Sequence, residues 1–345
     1  MKKTRIGLLT GGGDAPGLNG VIESTVRALR LQNIEVIGIR DGFEGIFNRQ
    51  TIELTETNVI GAHSHAGTLI GTSNKSSTAG RVEEFLSCYK SLNLDGLVAC
   101  GGDGTFASLE RVSHAIPMIG VPKTIDNDLS GTEVTFGYDT ACAVVSESVD
   151  ALRATADAHR RIIVVETMGR ESGWIALGGG LASYADAILI PERPFSRTKL
   201  VERVNQLKVA GRRGMMVVAS EGAMAEGESA KVAFSVEGSP VAERLGGFAE
   251  QFARWIEKQT AWEARHVVLG HLQRSRPPTT TDRFLTLAMG MEVAEMVAGS
   301  DWGKAVVYRK GMVTRAPITD IMQPPRLVSR DHRWVKWAEK MGVFI

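Results

Sequence analysis

The chain has 345 residues, enough for two domains of ordinary size that bury their cores without disulfide or metal staples. Its 40 Lys and Arg oppose 39 Asp and Glu, so no net field draws it to nucleic acid or a membrane surface. An anionic ligand must therefore be captured by local groups.

The N-terminal MKKTRIGLL opens like a secretion signal, but its apolar run of five residues meets a glycine turn instead of a cleavage site. No apolar run reaches membrane-spanning length, and a soluble cytoplasmic protein is expected. RIGLL (5–9) is a predicted strand, followed by TGGGDAPGLN (10–19) and a helix with Val21, Ile22, Val26 and Leu29 on one face. The same grammar returns at GLVAC (96–100), where GGDGT (101–105) precedes a helix with Phe106, Leu109 and Val112 spaced for burial. Further apolar runs at 117–121, 161–166, 187–191, 215–220 and 266–270 alternate with helical stretches near 140–159, 197–209, 242–258 and 280–298. Val and Ile runs separated by helices predict an α/β fold with mainly parallel sheets covered on both faces. The polar interval 221–239 reads as a mobile surface loop. Cys88, Cys100 and Cys142, odd in number and lacking a CxxC pair, read as reduced core thiols.

Three loops carry the chemistry. Gly11, Gly12, Gly13, Ala15 and Gly17 leave main-chain N–H groups open to a phosphate at a helix N-terminus, although a tight strand-to-helix turn would use the same glycines. The spacing is neither the dinucleotide GxGxxG nor a P-loop. In GGDGT, Asp103 stands at a strand's carboxyl end, where open α/β sheets place ligands and where a lone carboxylate holds Mg2+ through water. GVPKTIDNDL (120–129) brings two carboxylates and an ammonium within six residues of a strand end; as a solvated loop it would be a turn and cap former.

Together with MGRESGWIAL (168–177), SEGA (220–223) and ARHVVLGHLQR (264–274), these loops resemble the phosphofructokinase family in the same order along most of the chain. The resemblance implies two similar three-layer αβα domains: 1–138 with 278–316 for the donor, and 139–277 with 317–345 for the sugar phosphate, with chemistry in the cleft. It implies the glycolytic reaction, Mg2+-dependent transfer of the ATP γ-phosphoryl group to the 1-hydroxyl of fructose 6-phosphate. Asp126 would be the general base, with Thr124 and Asp128 beside it. Asp103 would be the metal ligand, while Gly12, Gly102, Gly104 and Thr105 would line the donor's phosphates. Arg161, Arg265, His271 and Arg274 match positions that clamp the sugar's 6-phosphate, and Glu221 with Met168, Gly169 and Arg170 match those that hold its hydroxyls. Singly, each arginine could be a surface ion pair and His271 a core histidine.

Donor choice turns on two positions. Gly104, where an aspartate would crowd the nucleotide's α-phosphate, implies ATP, whereas Lys123 is shared with the pyrophosphate-using branch and a related ATP-using group. The combination resembles that ATP-using group, with pyrophosphate as the alternative donor. Three departures from the family pattern are Asn74 and Lys75 where an arginine contacts the transferred phosphate, Ser275 and Arg276 in place of the glycines after QR, and Glu23 where regulated members carry an effector-binding arginine. Lys75 would supply the missing charge, and control by ADP or phosphoenolpyruvate is expected to be absent. Members are commonly homotetramers, so a homo-oligomer, tetramer or dimer, is implied, with Arg161 and Arg265 reaching into a neighbour's site. A kinase of another sugar phosphate such as sedoheptulose 7-phosphate and a non-catalytic regulatory homologue are the competing readings; intact Asp126, Asp103 and Thr124 argue against the latter.

Overall fold

The Val and Ile runs become buried strands whose alternate side chains feed two different cores. The computed structural model describes residues 3–75, 77–230, 232–235 and 243–345. Strands run in chain order β1 (Arg5–Thr10), β2 (Glu35–Ile39), β3 (Thr51–Leu54), β4 (Gly96–Gly101), β5 (Met118–Pro122), β6 (Ile162–Thr167), β7 (Ala187–Leu189), β8 (Met215–Ser220), β9 (Val232–Ser235), β10 (Glu243–Leu245), β11 (Ala264–Val268), β12 (Lys304–Arg309) and β13 (Met312–Pro317). The chain divides into two units, one built mainly from Met1–Thr140 and Arg274–Pro325, the other from Ala141–Glu237, Val241–Gln273 and Arg326–Ile345.

The first unit holds a seven-stranded sheet ordered β13-β12-β5-β4-β1-β2-β3, parallel from β12 to β2 and antiparallel at both outer pairings. Leu8, Val98 and Ile119 face one core, shared with helices Leu18–Leu31 and Thr280–Ala298. Their neighbours Leu9, Ala99 and Met118 face the other, with Phe43, Phe85, Phe106 and Leu109. Strict alternation into two cores is what a sheet covered on both faces requires. The second unit repeats the plan with four parallel strands, β11-β6-β8-β7. Ile162, Val164, Met215 and Val217 pack against helices Arg197–Val209 and Phe248–Thr260, while helix Trp174–Ala182 lies so close to the opposite face that a Cβ on Gly180 would meet Ile188 and Val218. The αβα expectation is therefore met.

Several boundaries differ from the sequence reading. The helix expected over 242–258 starts at Phe248, because Gly247 adopts φ 76° and the preceding Glu243–Leu245 pairs antiparallel with β9. That pairing also places a strand inside the interval read as a mobile loop; its residues 231 and 236–239 lie outside the described residues. The strand expected over 266–270 sits two residues earlier, fixed by the register Arg265 to Ile163. The second predicted helix begins at Asp103, within GGDGT, and ends before Val112. Among the described residues none of the three cysteines forms a disulfide; Cys88 and Cys100 are buried, and burial pushes the Cys100 thiol up to about 12. Among the described residues no helix is long and apolar enough to cross a membrane.

A buried carboxylate ties two helix starts together in the first unit. Asp282 Oδ2 accepts from the Thr140 N–H at 2.9 Å and its hydroxyl at 2.6 Å, while Thr279 caps helix Thr280–Ala298. Burial outweighs these hydrogen bonds and pushes the Asp282 carboxyl up to about 6. The folded state thus binds this proton better than the unfolded chain, so the contribution is complete below the unfolded pKa and lost as pH rises through about 6. Asp282→Asn, titrated by urea unfolding beside the wild type, is expected to gain relative stability between about pH 4 and pH 7. A pH-independent difference between the two proteins would contradict the raised carboxyl.

Candidate active site

Strands β1, β4 and β5 are parallel neighbours, so the three glycine- and aspartate-bearing loops leave the same sheet edge side by side, roughly 5 Å apart. The Gly11 N–H donates to Cys100 O at 2.8 Å, and the Lys123 N–H donates to Gly101 O at 2.9 Å. A fourth segment is fastened over the first loop: the Thr10 hydroxyl donates to Gly71 O at 2.6 Å, the Thr72 hydroxyl to Gly12 O at 2.6 Å, and the Gly12 N–H to Ser73 O at 3.1 Å. These ties place Asn74 beside the glycines. Gly12 has φ 77°, and a Cβ on it would stand 3.4 Å from Lys123 Nζ and 3.9 Å from Asn74 Oδ1. The Lys123 side chain is 3% exposed and donates to the Gly13 carbonyl. A cation thus already faces the first glycine turn, supplied by Lys123, while Lys75 is exposed.

The third loop is held rigid by its own side chains. The Asp126 N–H donates to Thr124 Oγ1 at 3.1 Å, the Thr135 hydroxyl to Thr124 O at 2.7 Å, and the Thr135 N–H to Asn127 Oδ1 at 3.0 Å. Asn127 takes the left-handed conformation, φ 54°, which an Asn tolerates better than most residues. The sequence reading passed over Asn127 and Thr135, although an Asn between two aspartates is a turn signal. Asp126 is 4% exposed and Asp128 half-buried. Thr105 fills space against Gly11 and Gly101, Gly102 precedes the helix as its N-cap, and Asp103 and Gly104 are exposed in the first turn. Among the described residues no group of three or more His, Cys, Asp or Glu could hold a metal ion. A single carboxylate among glycine N–H groups instead suits Mg2+, which keeps several waters and binds through one or two carboxylates plus substrate phosphates. Arg274 donates to the Asp14 carbonyl, and a Cβ on Gly13 would come 3.1 Å from its Nη1, so this arginine belongs to the first glycine loop's surroundings.

In the second unit, Met168, Gly169 and Arg170 follow β6, Glu221 follows β8 and His271 lies just beyond β11, all at the carboxyl edge of that sheet. The Glu221 N–H donates to Thr167 O at 2.8 Å, and its Oε1 accepts the Arg170 N–H at 3.0 Å. Gly169 has φ 149°, and the Ser172 N–H returns to Gly169 O at 2.9 Å, folding the loop tightly. His271 is exposed and is no core histidine. Arg161 and Arg265 are not brought to this group. They sit at the amino ends of β6 and β11, roughly 17 Å of strand away at about 3.3 Å per residue. There Arg161 Nε lies 2.7 Å from Glu263, and Arg265 pairs with Glu263 and, at 3.5 Å, with Glu257. The Arg161 hydrogen bond holds the Glu263 carboxyl below its ordinary value.

Glu23, on helix Leu18–Leu31, is buried. Burial alone would push its carboxyl up, but the His63 N–H at 3.0 Å and ring at 2.8 Å, with a Gly61 N–H, hold it below the ordinary value. Arg27 is shared between Glu23 at 3.4 Å and Glu56 at 3.7 Å.

The family model described as phosphofructokinase matches residues 5–297. An ATP-dependent 6-phosphofructokinase of Chloroflexus aurantiacus is 41% identical over 99% of this chain and 98% of its own. A pyrophosphate–fructose 6-phosphate 1-phosphotransferase of Amycolatopsis methanolica is 38% identical over 92% of this chain and 94% of its own. Among solved structures, the phosphofructokinase of Pichia pastoris superposes with a TM-score of 0.82 at 27% identity over 99% of this chain, which spans 37% of that larger chain.

Proposed function

This chain belongs to the phosphofructokinase family, and we propose that it moves the γ-phosphoryl group of ATP to the 1-hydroxyl of fructose 6-phosphate, as a cytoplasmic glycolytic enzyme. The observation that carries this reading is the first unit's trio of neighbouring loops, in which a buried aspartate and a buried lysine accompany a glycine cradle on adjacent strand ends. Asp126 accepts the proton of the 1-hydroxyl as that oxygen bonds to the γ-phosphorus and the bond to ADP breaks. Lys123 keeps an ammonium beside Gly12, where the transferring phosphate gains charge at the bridging oxygen. Asp103 would hold Mg2+, which neutralises phosphate charge when bound. Glu221 and the backbone of Met168–Arg170 orient the sugar's hydroxyls, and His271 and Arg274 bind its 6-phosphate.

ATP is favoured as donor by Gly104 and by the names of several relatives about 40% identical, although pyrophosphate-using relatives 38% and 39% identical stand close beside them. A coupled assay offering ATP or pyrophosphate with fructose 6-phosphate or sedoheptulose 7-phosphate tests the whole reading. ATP with fructose 6-phosphate is expected to give the highest kcat/KM; a preference for pyrophosphate or for the longer sugar would replace the donor or the acceptor assignment.

Arg161 and Arg265, at the far sheet edge, cannot reach a phosphate held by His271 of the same chain. We assign them to the sugar-phosphate site of a second copy in a homo-oligomer. Co-expressed Arg161→Ala and His271→Ala chains are then expected to recover activity at low sugar concentration, about a quarter of the wild-type value in random dimers, because one site per hybrid is intact. Activity no higher than in either variant alone would confine each site to one chain. Glu23 stands where regulated members carry an effector-binding arginine, and Arg27, the arginine kept on the same helix, is paired with Glu23 and Glu56, so half-saturation by fructose 6-phosphate is expected to stay unchanged when ADP or phosphoenolpyruvate is added; a clear shift in either titration would contradict this.

A further inference from the structure

The loop Met168–Gly173 is anchored at two ends in the second unit. Its front is tied to Glu221 through the Arg170 N–H. Its rear is tied to the C-terminal segment, Arg326–Ile345, by Glu192. One carboxylate oxygen, Oε1, accepts the Gly173 N–H at 2.9 Å and the Val328 N–H at 2.9 Å. The other oxygen is buried without a hydrogen-bond partner among the described residues, and a Cβ on Gly173 would come within 2.8 Å of it. Burial pushes this carboxyl up against the opposing effect of those two N–H groups, so the group carries a desolvation cost that an apolar side chain would avoid.

A second tie lies one residue on. The Trp174 indole N–H donates to Arg326 O at 2.7 Å, the Arg326 guanidinium lies 4.3 Å from the ring centroid, and His332 meets the ring edge-on at 5.0 Å. The segment is itself fixed to the sheet edge: the Ile188 N–H donates to Phe344 O at 2.7 Å, the Phe344 N–H to Asp186 O at 3.0 Å, and Arg193 pairs with Glu339 at 2.7 Å. A chain of short contacts therefore runs from the strand edge, through the C-terminal segment, to the backbone of the sugar loop.

We propose that Glu192 is a positioning residue for the acceptor: its single-oxygen bridge makes the C-terminal segment set the loop Met168–Gly173, and thereby the affinity for sugar phosphate. The inference rests on the reading of Met168–Arg170 and Glu221 as the groups that hold the sugar. Its cause is geometric. Two N–H groups from segments more than 150 positions apart in sequence converge on one oxygen, and removing it leaves both unpaired.

The test uses the full-length protein with Glu192→Ala and Glu192→Gln. Alanine deletes the acceptor, whereas glutamine keeps an oxygen for the two N–H groups. In the alanine variant, KM for fructose 6-phosphate is expected to rise about tenfold while KM for ATP and kcat stay within about threefold. Amide deuterium exchange across 169–174 is expected to speed up, and glutamine is expected to restore both readouts. Trp174→Phe, which removes the indole donor and part of the ring packed against Arg326 and His332, should reproduce the same split in KM and stands in if the alanine variant does not fold. An unchanged sugar KM with active wild type, an equal rise in both KM values, or no rescue by glutamine overturns the inference and leaves the function standing. If the wild type does not act on fructose 6-phosphate, the function falls, and exchange at 169–174 still decides whether the bridge holds the loop.

Discussion

Asp126→Ser is expected to lower kcat by about a hundredfold or more, since a positioned base contributes on the order of 10²–10⁴ in rate. The hydroxyl that replaces the carboxylate cannot take the acceptor's proton at neutral pH, and the attacking oxygen then develops without relief of its positive charge. The loop should survive the change. Its shape is set by Thr124, Thr135 and Asn127 through backbone and side-chain hydrogen bonds that do not use the Asp126 carboxylate. Thermal stability is therefore expected to stay near wild type, and KM for fructose 6-phosphate within a few-fold, because the groups assigned to the sugar's hydroxyls lie in the other unit. Turnover within about threefold of wild type would remove Asp126 as the base. A large loss of stability would instead mean that the carboxylate serves the fold.

What the sequence made legible follows from how much each signal depended on neighbours in the chain. The parallel strands were readable because both faces are buried, so RIIVVE and MMVVAS are continuous apolar runs with no competing helical period. The strands β2, β3, β12 and β13 were missed. The outer pair β3 and β13 has exposed positions, and KAVVYR sits between a glycine and a turn that give no sign of its partner. The site divides in the same way. Loops that follow a strand directly, such as GGDGT and PKTIDND, were found, since their place at a sheet edge is implied by the strand before them. Asn127 and Thr135 were not, because their role is a bond across eight positions of loop. For Arg161 and Arg265, expected to reach into a neighbour's site, spacing along the chain gave no sign of Glu263 as their shared partner, and only the sheet places both beside it. The Lys123 ammonium beside Gly12 is the converse case, a charge that the sequence assigned to donor choice and that the fold sets at the first glycine turn, which Asn74 also borders.

Gly104→Asp is expected to cut kcat/KM for ATP by about a hundredfold or more while leaving the fold untouched, because a carboxylate forced against a phosphate costs several kcal/mol. The fold has no use for a glycine at this position. Among the described residues no atom beyond its chain neighbours and the backbone of its own helix lies within 4 Å of where a Cβ would stand, and the backbone is not in the left-handed region. Residue 104 is the second of helix Asp103–Glu110, where an acidic side chain favours the helix by about 0.3–1 kcal/mol. An aspartate should therefore raise the melting temperature slightly or leave it unchanged, which separates this position from Gly222, where a Cβ would overlap the Arg170 carbonyl. A glycine that packing does not require, in an open space at the end of β4, fits the proposed nucleotide site, where a side chain would stand in the donor's way. Pyrophosphate has no α-phosphate to meet the new carboxylate, so its use should be affected far less and the ratio of pyrophosphate to ATP activity should rise. If ATP turnover in the variant stays within about tenfold of wild type, the open space at Gly104 is not where the nucleotide lies, and donor choice has to be sought at Lys123, whose ammonium borders the neighbouring glycine turn.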